Sequence, residues 1–182
     1  MQSATVTEPE YLNSEKIEAK YGNYHIDVIA SHGRTRQSAL SSESDGTRVC
    51  RTFALTRFSD EGGSVSSHGT IRGGASIGAT LQRDGFSILK STIHVGRITI
   101  TNRQHSVVKL MHLQTPAELA LHIYRLSIAK DGDVIDYATI SEIHHPEYLT
   151  EEDVRSLFSI DSSESIQPPQ VDELISIILD AA

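Results

Sequence analysis

Residues 119–143 read LALHIYRLSIAKDGDVIDYATISEI, and this stretch decides the fold. Two β-like runs, residues 119–129 and 134–143, flank Asp131 and Gly132. An Asp-Gly pair between two such runs is one of the strongest sequence signals for a tight hairpin turn. The stretch therefore predicts an antiparallel hairpin whose second strand carries Glu142 near its end.

A second Asp-Gly pair, Asp45-Gly46, lies further upstream between residues 39–41 and 49–58 and predicts another hairpin. Residues 24–30 alternate with a period of two, which is typical of a half-buried strand. Residues 93–101 and 107–113 are also β-like. Because hairpins alternate with short helices, without βαβ repeats, the chain is predicted to be an α+β domain with an antiparallel sheet of about six strands.

Short helices are predicted around this sheet. Residues 14–21 form the first, with Ser14 as its cap and Gly22 as its stop. Residues 60–75, rich in Gly and Ser, are predicted to be a mobile loop. The stretch that follows opens a short helix that ends at Gly85.

The C-terminal part is predicted to be helical and acidic. Thr150 begins a helix in capping-box style. One face of a last helix is lined by Val171, Leu174, Ile175, Ile178 and Leu179. The predicted organisation is a flexible N-terminus (1–12), one domain (13–149) and an acidic helical extension (150–182), because 182 residues suit one core better than two.

The net charge of −8 comes entirely from residues 143–182, most of which form the C-terminal extension. Residues 143–182 hold nine acidic residues against Arg155, whereas residues 1–142 hold 15 of each sign. No basic stripe suggests nucleic-acid binding, and the acidic tail is a possible site for a protein partner. With no run of 18 apolar residues, no charged export signal and a lone Cys50 predicted to be buried and inert, we expect a cytoplasmic protein that does not bind membranes.

Three features suggest a pocket for an anionic ligand. The glycine-rich stretch 73–78 precedes a helix, where unpaired backbone N–H groups can hold a carboxylate. A flexible loop with no binding role is the alternative interpretation of the same residues. Three arginines, Arg36, Arg51 and Arg72, lie on or beside predicted strands, and arginine is well suited to bind carboxylates. Each of them alone is more often a solvated surface charge.

Glu142 is the candidate catalytic group. Strand alternation places it on one face with Ala138 and Ile140. A carboxylate on an apolar face must be paired or must keep its proton, and a proton is what a general acid needs. A structural salt bridge is the alternative. His144 and His145 are candidate metal ligands, but adjacent strand residues point to opposite faces and cannot easily bind one ion. No metal site is therefore predicted.

In these elements the chain resembles the chorismate lyases, small enzymes that convert chorismate into 4-hydroxybenzoate and pyruvate. The resemblance spans about residues 12–149 and covers the first helix and strand up to Gly33, together with the turn at Asp45-Gly46. It continues in three segments that are similar in order and spacing: Cys50-Arg51-Thr52, Ser76-Ile77-Gly78, and the closing strand from Ile140 to Pro146.

The resemblance implies roles for individual residues. Glu142 corresponds to the catalytic glutamate. Arg36 corresponds to the arginine that binds the substrate carboxylate if the hairpin is two residues longer on that side than in the family, and Arg34 is the alternative. A residue near the position of Ile29 lines the pocket in the family, and Arg51 matches the family's Arg-Thr strand. Ile29 and Arg51 are therefore predicted to bind substrate, as is Arg72 from its place beside the sheet. Ile77 and Gly78 are predicted to do so through their backbone amides.

The implied reaction is elimination of pyruvate from chorismate, or a related cyclohexadiene carboxylate, to give a hydroxybenzoate, with no metal or organic cofactor. Three departures stand out: the segment between Gly33 and Arg36 is short, His144 and His145 replace apolar residues, and the acidic tail has no counterpart. Two alternatives therefore stay open. One is a domain of the same fold that binds small aromatic acids without chemistry, and the other is a lyase or hydrolase with a related substrate.

Overall fold

The computed structural model describes residues 12–160 and 169–180. A six-stranded antiparallel sheet forms its centre, in the order β1-β2-β3-β6-β5-β4, and the predicted α+β class is confirmed. The strands are β1 His25–His32, β2 Thr35–Ser44, β3 Thr47–Phe58, β4 Ser87–Ile100, β5 Ala117–Lys130 and β6 Asp133–His144. The helices are α1 Asn13–Tyr21, α2 His68–Arg72, α3 Ile77–Arg83, α4 Ser106–Leu110, α5 Glu151–Leu157 and α6 Pro169–Leu179.

Both predicted Asp-Gly hairpins are confirmed. Asp45 and Gly46 have φ angles of 52° and 73° and join β2 to β3, while Asp131 and Gly132, at 54° and 92°, join β5 to β6. Two successive positive φ angles define the hairpin turn whose twist matches the flanking strands. The sheet therefore consists of two three-stranded meanders, β1–β3 and β4–β6, joined by the pairing of β3 with β6.

Three local predictions were wrong. Residues 107–113, expected to be β-like, contain helix α4, because His105 caps it by accepting a hydrogen bond from the Val107 amide at 3.2 Å. The expected loop 60–75 contains a 3-10 turn, Glu61–Ser64, and helix α2. Helix α1 begins one residue earlier than predicted, with Leu12 as its N-cap and the Leu12 amide donating to Glu15 at 2.9 Å.

One face of the sheet packs against α4 and α6. The apolar face predicted for the last helix is largely confirmed: Val171, Leu174 and Ile178 are buried in this core, whereas Leu179 is exposed. His105 also links the two helices. Its Nδ1 accepts from Val107, so its Nε2 carries the proton and donates to the Ile178 carbonyl at 2.8 Å. The apolar side of α6 therefore packs against the sheet.

The other face of the sheet packs against α1, α2 and α3, and its core includes Phe58, Leu81, Tyr124 and Tyr137. Cys50 is buried as predicted, and burial raises the pKa of its thiol to about 12. In the described ranges 12–160 and 169–180, no helix is long and apolar enough to cross a membrane.

Gly62, in the 3-10 turn, approaches the sheet so closely that no side chain fits. A Cβ atom there would lie 2.7 Å from the carbonyl oxygen of Tyr137, which is backbone and cannot rotate away. We expect Gly62→Ala to lower the free energy of unfolding by about 1–3 kcal/mol in urea titrations, because the turn must shift. Gly63→Ala is the matched control, since nothing within the described structure lies within 4 Å of its Cβ position. Equal stability of the two variants would contradict this assignment.

Candidate functional site

A cavity of about 70 Å³ lies on the sheet face covered by α1 and α3. That volume exceeds what a single water molecule needs. Every one of the six strands contributes to its wall, as do the starts of α1 and α3. Its strand residues are Ile26, Arg36, Leu40, Ala54, Thr56, Ile88, Lys90, Tyr124, Leu126, Ile140 and Glu142.

Arg36 lies on β2 and is only 2% exposed. Its Nη1 donates to the carbonyl oxygens of Ile71 at 2.5 Å and Ala75 at 3.0 Å, so these two carbonyls hold the guanidinium against the cavity wall. Its Nε is fully buried and has no hydrogen-bond partner in the described part of the chain. Burial lowers the pKa of Arg36 from its ordinary value. A buried donor without a partner is costly, and it leaves this guanidinium at the cavity wall with an unused N–H group.

Glu142 lies on β6 directly between Ala54 of β3 and His122 of β5. It shares the cavity wall with Ile140, as strand alternation predicted, and is 8% exposed. Its Oε1 accepts a hydrogen bond from the Tyr124 hydroxyl at 3.1 Å. Its Oε2 lies 3.8 Å from His144 Nε2. The carboxyl group is therefore anchored by a phenol and faces an imidazole.

Buried polar side chains continue from Glu142 toward α1. His144 Nδ1 lies 3.0 Å from the Thr52 hydroxyl, which accepts from the Asn13 amide, also at 3.0 Å. Tyr148 donates to Asn13 Oδ1 at 2.6 Å. Burial lowers the pKa of His144 to about 4, against the opposing effect of Glu142. His144 is therefore neutral near pH 7.

Lys90 is a wall residue that sequence reasoning missed. It lies on β4 with its Nζ 5.3 Å from the centre of the Tyr124 ring and 5.9 Å from that of Phe158. The prediction started this strand at residue 93, whereas β4 begins at Ser87. Ile88 and Lys90 are two residues apart, so an earlier start of this strand would have predicted both side chains on the same face of the sheet.

The start of helix α3 closes one side of the cavity. Ser76, Ile77 and Gly78 line the wall, and the first-turn amides of a helix have no partners within that helix. A Cβ atom at Gly78 would lie 2.4 Å from Leu12 Cδ2. Glycine at this position therefore lets the start of α1 approach α3 closely.

The remaining predicted site residues lie elsewhere. Ile29 is 40% exposed, Arg51 donates to Ser42 at 2.8 Å, and Arg72 donates to Ser31 at 3.2 Å. Within the described ranges, none of the three lines the cavity. Arg34, the alternative to Arg36, is exposed and paired with Asp60. Of the two arginines, the structure brings Arg36 to the cavity together with Glu142.

His144 and His145 point to different partners, because the His145 Nδ1 accepts from the Glu147 amide at 3.1 Å. Among residues 12–160 and 169–180, no group of three His, Cys, Asp or Glu side chains is placed to hold a metal ion. Among the described residues, the ionisable acidic and basic side chains of the cavity wall are Arg36, Lys90 and Glu142. The two cationic side chains can attract an anionic ligand.

The chain matches no protein-family model and no curated protein. Its function must therefore be inferred from the residues of the cavity.

Proposed function

We propose that this chain is a cofactor-independent lyase of the chorismate lyase type, which eliminates pyruvate from chorismate or a related enolpyruvyl cyclohexadiene carboxylate. One observation carries the proposal. Arg36, with a buried Nε that lacks a partner in the described chain, lines the same cavity as the carboxyl group of Glu142. A carboxylate anchor and a proton donor are the two groups that such an elimination needs.

In the proposed reaction, Arg36 binds a carboxylate of the substrate. Glu142, in its acid form, protonates the ether oxygen as the bond between that oxygen and the ring breaks. The ring then loses a proton from carbon and becomes aromatic, and the released enol becomes pyruvate. The proton gained by the ether oxygen balances the proton lost by the ring, so no oxidant or reductant is required.

A second carboxylate on the substrate has two possible partners. Lys90 supplies a positive charge on the wall formed by β4, and the amides of Ile77 and Gly78 supply donors at the start of α3. Burying two carboxylates requires such partners, because an unpaired buried charge is strongly unfavourable. Both arrangements fit the proposed reaction.

The test is incubation with chorismate while pyruvate and hydroxybenzoate are measured together. We expect the two products to form in equal amounts. Binding of 4-hydroxybenzoate without pyruvate release would instead support a domain that binds small aromatic acids without chemistry. That second candidate is favoured by the hydrogen bond from Tyr124 to Glu142, which gives the carboxyl group a structural partner.

Lys90→Met tests whether Lys90 or the amides at the start of α3 bind the second carboxylate. We expect it to weaken binding of chorismate about tenfold, or ~1.4 kcal/mol, and to leave the monocarboxylate 4-hydroxybenzoate within about twofold, as measured by calorimetry. Lys16→Met is the matched control, because Lys16 lies 5.4 Å from the same Phe158 ring but is not a residue of the cavity wall. Unchanged chorismate affinity in Lys90→Met would assign the second carboxylate to the α3 amides.

A reducing, cytoplasmic location is part of the same proposal and is supported by the buried, unpaired thiol of Cys50. Binding of a protein partner through the acidic residues after Thr150 also stays a proposal. The stretch 161–168, which contains part of that acidic run, lies outside the described residues.

A further inference from the structure

The polar side chains behind Glu142 form a connected set of hydrogen bonds. The Tyr148 hydroxyl donates to Asn13 Oδ1 at 2.6 Å, which fixes the orientation of the Asn13 amide. The Asn13 Nδ2 therefore faces Thr52 and donates to its hydroxyl oxygen at 3.0 Å. Thr52 is left with its own proton to donate, and His144 Nδ1 lies 3.0 Å away.

This arrangement selects one tautomer of His144. When Thr52 donates to Nδ1, the ring proton resides on Nε2, the nitrogen that faces Glu142 Oε2 at 3.8 Å. In the other tautomer, the Thr52 proton would lose its acceptor, and a lone pair on Nε2 would face the carboxylate that forms when Glu142 gives up its proton. Thr52 is fully buried and His144 is 2% exposed, so water is not available to repair the mismatch.

We propose that His144 is a positioning residue for Glu142, which presents its Nε2–H to the carboxylate that forms when Glu142 gives up its proton. The proposal rests on the function proposed above. A distance of 3.8 Å is too long for a hydrogen bond in the resting state. Catalytic hydrogen bonds are often long without substrate and shorten as charge develops, so the contribution of His144 belongs to the transition state.

The neighbourhood keeps His144 uncharged, which this role requires. Burial lowers the pKa of His144 most, Glu142 opposes this effect, and Lys16 and Lys90 lower the pKa further, to about 4. His122, beside Glu142 on β5, has a pKa lowered to about 3 by burial and by the same cations. Both imidazoles are thus neutral near pH 7. His144 therefore acts through one oriented N–H group rather than through a charge.

Three substitutions distinguish the contributions of the two ring nitrogens of His144. His144→Gln places an amide donor near the position of Nε2, His144→Asn places a polar group near Nδ1 only, and His144→Leu removes both. We expect His144→Leu and His144→Asn to lower kcat roughly 10- to 100-fold with KM within about twofold, because the lost interaction forms only in the transition state. His144→Gln should recover most of that loss.

The tautomer is measured independently of activity by ring ¹⁵N NMR of the intact protein. We expect His144 to show a protonated Nε2 and an unprotonated Nδ1 at pH 7, and Thr52→Val to weaken this preference. A protonated Nδ1 in the unsubstituted protein overturns the inference, and so do equal kcat values for His144→Gln and His144→Leu. If chorismate yields no pyruvate, the proposed function fails, and the inference fails with it even where the spectrum shows the expected tautomer.

Discussion

Glu142→Gln is expected to abolish most pyruvate release while the protein stays folded and still binds 4-hydroxybenzoate. The amide has the shape of the carboxylic acid and keeps an oxygen that can accept from Tyr124, which now donates at 3.1 Å. It cannot deliver a proton to the ether oxygen. Loss of a general acid typically lowers the rate by about 10²- to 10⁴-fold, which steady-state pyruvate assays would detect as a fall in kcat.

Glu147→Gln is the matched control for that substitution. Glu147 is close in sequence but its side chain is 79% exposed and lies 3.7 Å from Arg51, away from the cavity wall. Its replacement should leave kcat unchanged, since exposed ion pairs contribute little. Turnover that survives Glu142→Gln at the unsubstituted rate would remove Glu142 from the mechanism and would point to another proton donor.

Arg36→Met is expected to weaken binding of 4-hydroxybenzoate roughly 30- to 5,000-fold, because loss of one partner of a buried ion pair costs about 2–5 kcal/mol. It also removes the donor to the carbonyls of Ile71 and Ala75, so the free energy of unfolding should fall by about 1–3 kcal/mol. Calorimetric titration gives the affinity, and urea denaturation of the same sample shows that the variant is folded.

Arg34→Met tests the neighbouring arginine under the same conditions. Arg34 is exposed and paired with Asp60, so neither affinity nor stability should change measurably. If Arg34→Met lost affinity and Arg36→Met kept it, the carboxylate would bind outside the cavity described here. The comparison thereby resolves the choice between the two arginines that the sequence leaves open.

Much of the sheet could be predicted from sequence, because its hairpin turns and strand faces are determined by residues within short stretches of the chain. Asp-Gly pairs adopt the successive positive φ angles of hairpin turns, and alternation assigns each residue of the flanking strands to a face. Glu142 was found in this way. The prediction for residues 107–113 was wrong because a cap supplied by His105 outweighs the β preference of Val107 and Val108.

The rest of the cavity depends on irregularities that alternation cannot reveal. Leu40 pairs with Thr52 while Ser41 pairs with Cys50, so Arg51 lies at a β-bulge and has no opposite residue in the β2–β3 register. The shift lets Thr52 face His144 and leaves Arg51 stacked 4.1 Å from the Tyr21 ring. Arg36 binds two loop carbonyls that only the folded chain brings to it. These arrangements arise from tertiary packing rather than from residue spacing.

The pairing of β3 with β6 has a consequence for how the chain folds. Arg36 belongs to the meander β1–β3 and Glu142 to the meander β4–β6, so neither half can form the cavity before Thr52 to Phe58 align with His144 to Ala138. Contacts between such distant segments form slowly, since a long loop must close first. A ligand that spans both halves binds the joined state alone and, at a hundred times its Kd, would hold the meanders together by an additional ~2.7 kcal/mol.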